Sequence, residues 1–272
     1  MHKHPTSPIS LFKSLFKYRA LIGGLIKREV VGRYRGSALG LLWSFFNPVF
    51  MLLVYTFVFS VVFKARWPGG SESKTEFAVV LFAGLMLFNF FAECVNRSPS
   101  LILSNVNYVK KVVFPLEILP CVAVGSAFFH LLISLIVWIA FYLVFYGVPH
   151  ATILLFPFVM FPLVILVLGL GWFLSALGVF LRDVSQFIGI VTTVLMFMSP
   201  IFYSASILPE KYQPFLHISP LTVVVEQSRN VLFWGKGIDW SVWGLYTVAS
   251  LVIAALGYAW FQRTRKGFAD VL

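Results

Sequence analysis

From Ala38 to Phe63 the chain carries no formal charge, and five further apolar runs follow at 77–96, 116–146, 153–181, 186–203 and 241–261. At about 1.5 Å per helical residue, the first run reaches about 39 Å against a hydrocarbon core of about 30 Å. The pattern predicts an all-α integral membrane fold with six transmembrane helices. The polar stretches between them have patterns of their own. Residues 1–10, rich in Pro and Ser, read as disordered. Over 11–28, Leu11, Leu15, Tyr18, Leu21, Ile22, Leu25 and Ile26 recur at helical spacing, with Lys13, Lys17, Lys27 and Arg28 on the other side. That stripe predicts an amphipathic interfacial helix on the inner leaflet, or one packed on a partner protein; Gly23-Gly24 weakens it slightly. Residues 97–115 begin Ser98-Pro99 and space Leu101, Ile102, Val106 and Val109 as a short amphipathic helix in a cytoplasmic loop. Residues 204–240 contain two helix starts, Pro209-Glu210-Lys211 and Ser219-Pro220-Leu221, which predict an outer re-entrant helical hairpin. In the fourth run Gly169, Gly171, Ser175, Ala176 and Gly178 form a small-residue face for close helix contact, and Ser199-Pro200 interrupts the fifth.

Composition agrees with a membrane domain: 60% of the 272 residues are hydrophobic, 18% aromatic and only 11% charged, whereas soluble domains carry about a quarter charged residues. The net charge of +11 would suggest nucleic acid in a soluble protein. Here the Lys and Arg residues crowd the ends of apolar runs, where orientation and anionic headgroups account for them. Fifteen of the 21 fall in segments that are cytoplasmic if both termini are inside, and six in the outer ones. The asymmetry favours that topology. Cys94 and Cys121 form neither a disulfide framework nor a metal quartet and read as small buried apolar residues. The start of the chain is polar and basic and its first apolar run exceeds a signal h-region, so no cleaved signal is expected. No linker or repeat divides the chain, which reads as one membrane domain.

Ion-coupled transport needs ionisable groups within the spans. Glu93 and Glu117 fall near interfaces, and a lone His130 reads as a hydrogen-bonded packing residue. No HExxH, no Asp-x-Asp pair, no nucleophile beside a base and no Walker-type phosphate loop is present. The sequence therefore predicts no catalytic residue, no metal and no cofactor bound by this chain; energy has to arrive through a partner. What remains is aromatic surface. Trp43, Phe46, Phe50, Tyr55 and Phe59 in the first run and Phe197, Phe202 and Tyr203 in the fifth offer stacking faces suited to the C–H faces of a sugar chain. The alternative is that these rings face lipid or belong to interfacial belts.

Three motifs in order, Arg33-Tyr34-Arg35-Gly36-Ser37-Ala38-Leu39-Gly40 with Leu42-Trp43 and Asn47-Pro48, then Phe180-Leu181-Arg182-Asp183-Val184, then Ser199-Pro200-Ile201-Phe202-Tyr203, resemble the membrane permeases of type-2 polysaccharide-exporting ABC transporters. The relatives are the O-antigen, capsule and teichoic acid exporters, and the resemblance covers nearly the whole chain. It implies a homodimer of six-span subunits in the bacterial cytoplasmic membrane, both termini cytoplasmic, served by two cytoplasmic ATP-binding subunits that hold ATP and Mg. It implies that 11–28 is an interface helix and 97–115 a coupling helix, with Ser98, Leu101, Asn105, Tyr108 and Lys110 as the residues coupled to the ATPase. The first and fifth spans would line a channel for a lipid-linked polysaccharide, and Arg33 and Arg35 would meet the phosphate of its lipid carrier, in addition to or instead of orienting the first span. A permease of the same fold for a small lipid or drug, and a scaffold subunit without substrate, remain alternatives.

Overall fold

The computed structural model describes residues 8–63, 67–68, 74–110, 114–209, 211–216 and 219–272. Among them the chain is all-helical. Two helices precede the first span: α1 (Pro8–Lys17) and α2 (Arg19–Tyr34), separated at Tyr18, whose N–H still bonds the Ser14 carbonyl at 2.9 Å. The interfacial stripe expected over 11–28 is thus a jointed pair that runs on to Tyr34, and Pro8, Ile9 and Ser10, expected in a disordered tail, already lie in α1; residues 1–7 of that tail fall outside the described residues. Gly36 and Gly40, with φ of 88° and 51°, turn the chain from α2 into the first span, a left-handed conformation that costs glycine little.

Among the described residues five helices are long and apolar enough to cross a membrane. The first begins with a 3₁₀ turn, continues as α3 (Trp43–Tyr55) and ends in a π-helical stretch over Thr56–Val62. Pro48 lies inside α3, and the Thr56 hydroxyl donates to the Leu52 carbonyl at 2.7 Å where the winding loosens. The others contain α4 (Lys74–Arg97), α6 (Leu119–Tyr146), α7 (Phe156–Phe180) and α11 (Trp240–Thr264). Between them lie α5 (Val106–Lys110), the 15-residue α8 (Val184–Met198), the single-turn α9 (Gln213–Leu216) and α10 (Thr222–Leu232). A last turn, α12 (Phe268–Val271), closes the chain. The fifth apolar run is therefore shorter than expected: α8 stops at Ser199, whose extended backbone (ψ 149°) precedes Pro200, as the ring of a following proline requires.

α4 is the hub. Of the spans it alone is buried over most of its length, 83% of its apolar window against 11% for the first span, because it packs against α3, α6, α8 and α10. An apolar helix without a polar face is a core element. The small residues of α7 act as the sequence pattern predicts. A Cβ at Gly169 would stand 2.6 Å from the Ala254 Cα of α11, and one at Gly178 would overlap the Pro99 carbonyl. Backbones thus approach where side chains are absent.

The segment 98–110 departs from the single amphipathic helix expected. It consists of 3₁₀ turns at Ser98–Ser100 and Leu103–Asn105 followed by α5. Ser104 donates its hydroxyl to the Ser100 carbonyl at 2.8 Å, and Asn105 its amide to the Leu101 carbonyl at 2.9 Å. Such side-chain bonds give the backbone an alternative to regular helix.

Over 204–240, where an outer re-entrant hairpin is expected, the described residues form α9 and α10. Asp239 caps α11 as a carboxylate should, accepting from the N–H groups of Ser241 and Val242 at 3.0 and 3.2 Å. Ser219 accepts from the Leu221 N–H at 3.3 Å and shares a 2.6 Å hydroxyl contact with Ser199, tying the start of α10 to the end of α8.

Candidate functional site

The exposed face of the molecule is aromatic along two elements. Trp43, Phe46 and Phe50 recur at helical spacing on α3 and are exposed, as are Phe187, Ile190, Val194 and Phe197 on α8. Both helices lie on α4. Tyr55 and Phe59 are half-buried, as are Phe202 and Tyr203 just after α8. The structure brings Tyr55, Phe59, Phe197, Phe202 and Tyr203 together. Phe59 stacks on Phe202 with centroids 6.1 Å apart, Phe202 on Phe197 at 5.9 Å, and Tyr55 meets Phe59 at 6.5 Å. Tyr203 donates its hydroxyl to the Phe197 carbonyl at 3.1 Å. Trp43, Phe46 and Phe50 stand apart from this cluster, toward the Arg33 end of the first span.

At that end lies a polar network. Arg33 Nη2 is 2.5 Å from Glu93 Oε1. His130 Nδ1 lies 3.1 Å from both Glu93 Oε2 and Arg33 Nη1, and its Nε2 is 3.2 Å from the Tyr34 hydroxyl. Arg97 bridges Glu29 at 2.6 Å and approaches Glu93 at 3.6 Å. Three helices, α2, α4 and α6, are therefore pinned by two carboxylates, two guanidinium groups and one imidazole. Burial of Tyr34 raises its phenol pKa, outweighing the lowering by Arg33. Arg33 is thus held by Glu93, while Arg35 is exposed on the turn that follows α2. The sequence marked Glu93 and His130 as ionisable; nothing in it showed that they meet Arg33.

The residues expected to couple to an ATPase divide into two groups. Ser98 and Leu101 are buried, Ser98 donating to the Cys94 carbonyl at 2.7 Å. Asn105 and Tyr108 are half-buried and Lys110 exposed. Tyr108 stacks on Phe114 at 4.3 Å and accepts from Arg28 at 2.9 Å, while Lys110 bonds the Leu272 carbonyl. Glu117 fastens the same end. It receives Arg265 Nη1 at 2.6 Å and the Ser14 hydroxyl at 2.9 Å, and its carbonyl accepts from the Trp172 indole at 2.9 Å. Arg265 donates further to the Phe114 carbonyl at 2.9 Å. Amino- and carboxyl-terminal helices thus meet at one end of the bundle.

A second anchor, at the opposite end, was not visible in the sequence. Arg229 of α10 is 3% exposed. Its Nε donates to the Val80 carbonyl at 3.1 Å, Nη1 to Pro200 at 2.5 Å and Nη2 to Ile201 at 2.6 Å, and its guanidinium lies 4.4 Å from the Trp67 ring centroid. Gly84 makes room for it, since a Cβ there would stand 2.9 Å from Nη2. A buried charge persists only with such partners. Cys94 is buried and Cys121 half-buried. Among the described residues no cluster of three or more His, Cys, Asp or Glu is placed to hold a metal ion.

Long apolar helices around a buried central span, with charged pins at both ends, define a multi-pass membrane protein. The chain belongs to the ABC-2 type transporter family, whose pattern matches residues 20–233. It is 27% identical over 264 residues to an O-antigen export system permease protein, RfbA, of Myxococcus xanthus, covering 96% of this chain and 99% of that one. It is 26% identical over 250 residues to the protein of the same name from Klebsiella pneumoniae (91% and 93% covered), and 26% over 258 residues to the polysialic acid transport protein KpsM of Escherichia coli (91% and 94%).

Proposed function

We propose that this chain is the membrane permease of an ATP-driven exporter that carries a lipid-linked polysaccharide, of the O-antigen or capsule kind, across the bacterial cytoplasmic membrane. The observation that carries the reading is similarity along nearly the whole chain to permeases named for exporting such glycans. The open aromatic face of α3 and α8 supports it, because rings tolerate any sugar sequence that slides past them. In this reading each subunit crosses the membrane six times, α8 being the short fifth span, with both termini in the cytoplasm. Two copies set their α3 and α8 faces around a common path, and two separate subunits bind ATP and Mg. This chain binds neither, and nucleic acid is no partner.

The mechanism follows the pins. Closure of the ATPase dimer pushes on the exposed side of the 98–110 segment, at Tyr108 and Lys110. Ser98 and Leu101, buried behind it, pass the movement to α7 through the Gly178 contact and to α4 through the Cys94 carbonyl. Arg35 on the rim, with Arg33 held beside it by Glu93, receives the phosphate of the lipid carrier. Disrupting the gene should abolish surface polysaccharide and the wild-type gene should restore it. The purified chain should carry an ATP-binding subunit whose ATPase rate responds to the glycan. Unchanged surface polysaccharide, or a chain that works alone, would overturn the proposal.

A further inference from the structure

A groove of about 520 Å³ lies between α6 and α7, roofed at one end by Leu15 of α1 and Ile22 of α2. Along α6 it runs from Cys121 to Leu135 and along α7 from Leu168 to Phe156, about 21 and 18 Å of helix at about 1.5 Å per residue. The roof sits at the Cys121 end, where Ser14 bonds Glu117 and Ile26 fills the place that a Cβ on Gly125 would take. Apart from the Cys121 thiol the wall is entirely apolar. Water has no partner there, so in a bilayer the groove fills with hydrocarbon. Half of a hydrocarbon core of about 30 Å is about 15 Å, and the groove therefore takes a chain from one leaflet over its full depth. A helix about 10 Å across would need about three times the volume over the same length.

The roof is held down on α6 and is cationic outside. Leu25 of α2 packs on Ile118 and Val122. From Pro8 to Ile26 the chain carries Lys13, Lys17 and Arg19 and no acidic residue, and all three are exposed. Lys17 and Arg19 flank Tyr18, the joint between α1 and α2. Lys17 Nζ lies 5.1 Å from the Tyr18 ring centroid, and the Arg19 guanidinium 4.2 Å from that of Phe16. Among the described residues no carboxylate pairs with any of the three cations. Glu117, beside the roof, is already answered by Arg265 at 2.6 Å and the Ser14 hydroxyl at 2.9 Å. An apolar wall makes no choice among lipid tails. The choice falls to the cations, which stand at headgroup level when an amphipathic helix pair lies on the leaflet surface.

We infer that this groove is the site of one anionic phospholipid, with an acyl chain between α6 and α7 and its phosphate among Lys13, Lys17 and Arg19 of α1 and α2. The site requires only that the chain lies in a bilayer, whatever cargo it moves. The bound lipid braces α1 and α2 from beneath. α2 in turn holds the 98–110 segment through the Arg28 bond to Tyr108, and α4 through the Glu29 pair with Arg97.

The test places the chain with its ATPase subunit in phosphatidylcholine nanodiscs doped with a phospholipid that carries a diazirine on one acyl chain, either phosphatidylglycerol or phosphatidylcholine. Light fixes the acyl chain to what it touches, and mass spectrometry of the peptides locates it. The exposed face of α11 from Leu245 to Leu256 supplies the reference for bulk lipid. Relative to α11, the phosphatidylglycerol probe should label residues 121–135 and 156–168 at least about fivefold more than the phosphatidylcholine probe, the effect of one cation near an anionic headgroup. The Lys13→Gln/Lys17→Gln/Arg19→Gln variant should bring that ratio to about one with α11 labelling unchanged. Leu132→Trp, at a partly exposed position on the wall, should fill the groove and lower labelling by both probes. Equal labelling by the two probes in the wild-type chain, a ratio unmoved by the triple variant, or labelling that survives Leu132→Trp overturns the site. So does displacement of the probe by a polyprenyl phosphate but not by unlabelled phosphatidylglycerol, which would give the groove to the lipid carrier instead.

Discussion

Replacing Arg229 with Ala should free the α10 hairpin from the bundle. The substitution withdraws the donors from the Pro200 and Ile201 carbonyls and removes the cation from the Trp67 face; the Val80 carbonyl lies inside α4 and keeps its helical partner. A buried acceptor left without a donor costs about 1 to 3 kcal/mol. A desolvated cation–π contact is worth about 2 kcal/mol. Hydrogen bonds in membrane proteins average nearer 0.6 kcal/mol, so each of the two acceptors is taken at about 0.6 to 1 kcal/mol and the sum with the cation–π contact is about 3 to 4 kcal/mol. If the hairpin opens as a local unit, amide exchange over residues 222–232 should accelerate by about 10² to 10³, because 1.4 kcal/mol is tenfold in an equilibrium constant. Hydrogen exchange read by mass spectrometry on the nanodisc-embedded complex measures this directly, with the buried middle of α4 as internal reference. Arg229→Lys keeps the charge but not three divergent donors, and should fall between. Exchange in α10 equal to wild type in the Ala variant would refute the assignment of Arg229 as the pin.

Gly84→Val should reach the same end from the other side, since its Cβ would crowd Arg229 Nη2 at 2.9 Å and Val225 Cγ1 at 3.2 Å; α10 should exchange faster, and protection equal to wild type would contradict the packing. At the opposite end of the bundle, Arg33→Gln and Glu93→Gln should be non-additive in a thermal-unfolding cycle, by about 0.5 to 1 kcal/mol because both partners are partly exposed; strict additivity would mean the pair is idle. Gly178→Val should force α7 away from the Pro99 carbonyl and reduce co-purification of the ATPase subunit several-fold with membrane insertion intact, overpacking of this kind costing about 1 to 3 kcal/mol. Normal co-purification would break the proposed link between α7 and the coupling segment.

The spans were legible because a bilayer demands long uncharged runs, and five of the six became helices of spanning length. Pro200 was visible as an interruption, and the structure turns it into the end of α8. The small-residue face of α7 was also readable, since only backbone can pass where Gly169 and Gly178 sit. Illegible were the pairings that cross the fold. Arg229 looked like one more positive residue of an outer segment, and its carbonyl partners at Val80, Pro200 and Ile201 lie 149, 29 and 28 residues away. Likewise Glu93 and His130 stood out as ionisable groups, but their meeting with Arg33 depends on how α2 lies across α4 and α6. The hub position of α4 escaped for a related reason: a helix apolar all round shows no stripe to say which neighbours cover it.

α8 has 15 residues, about 22 Å of helix, roughly 8 Å less than an average hydrocarbon core. Where its end faces lipid, the acyl layer has to thin or the missing turn be completed by the Ser199–Ser204 stretch and α10. In the proposed dimer, two copies apposed on that face would thus leave a shallow crater in one leaflet, wetted from its side, and a sugar chain leaving the stacked rings would meet water before it had crossed the full width of the bilayer.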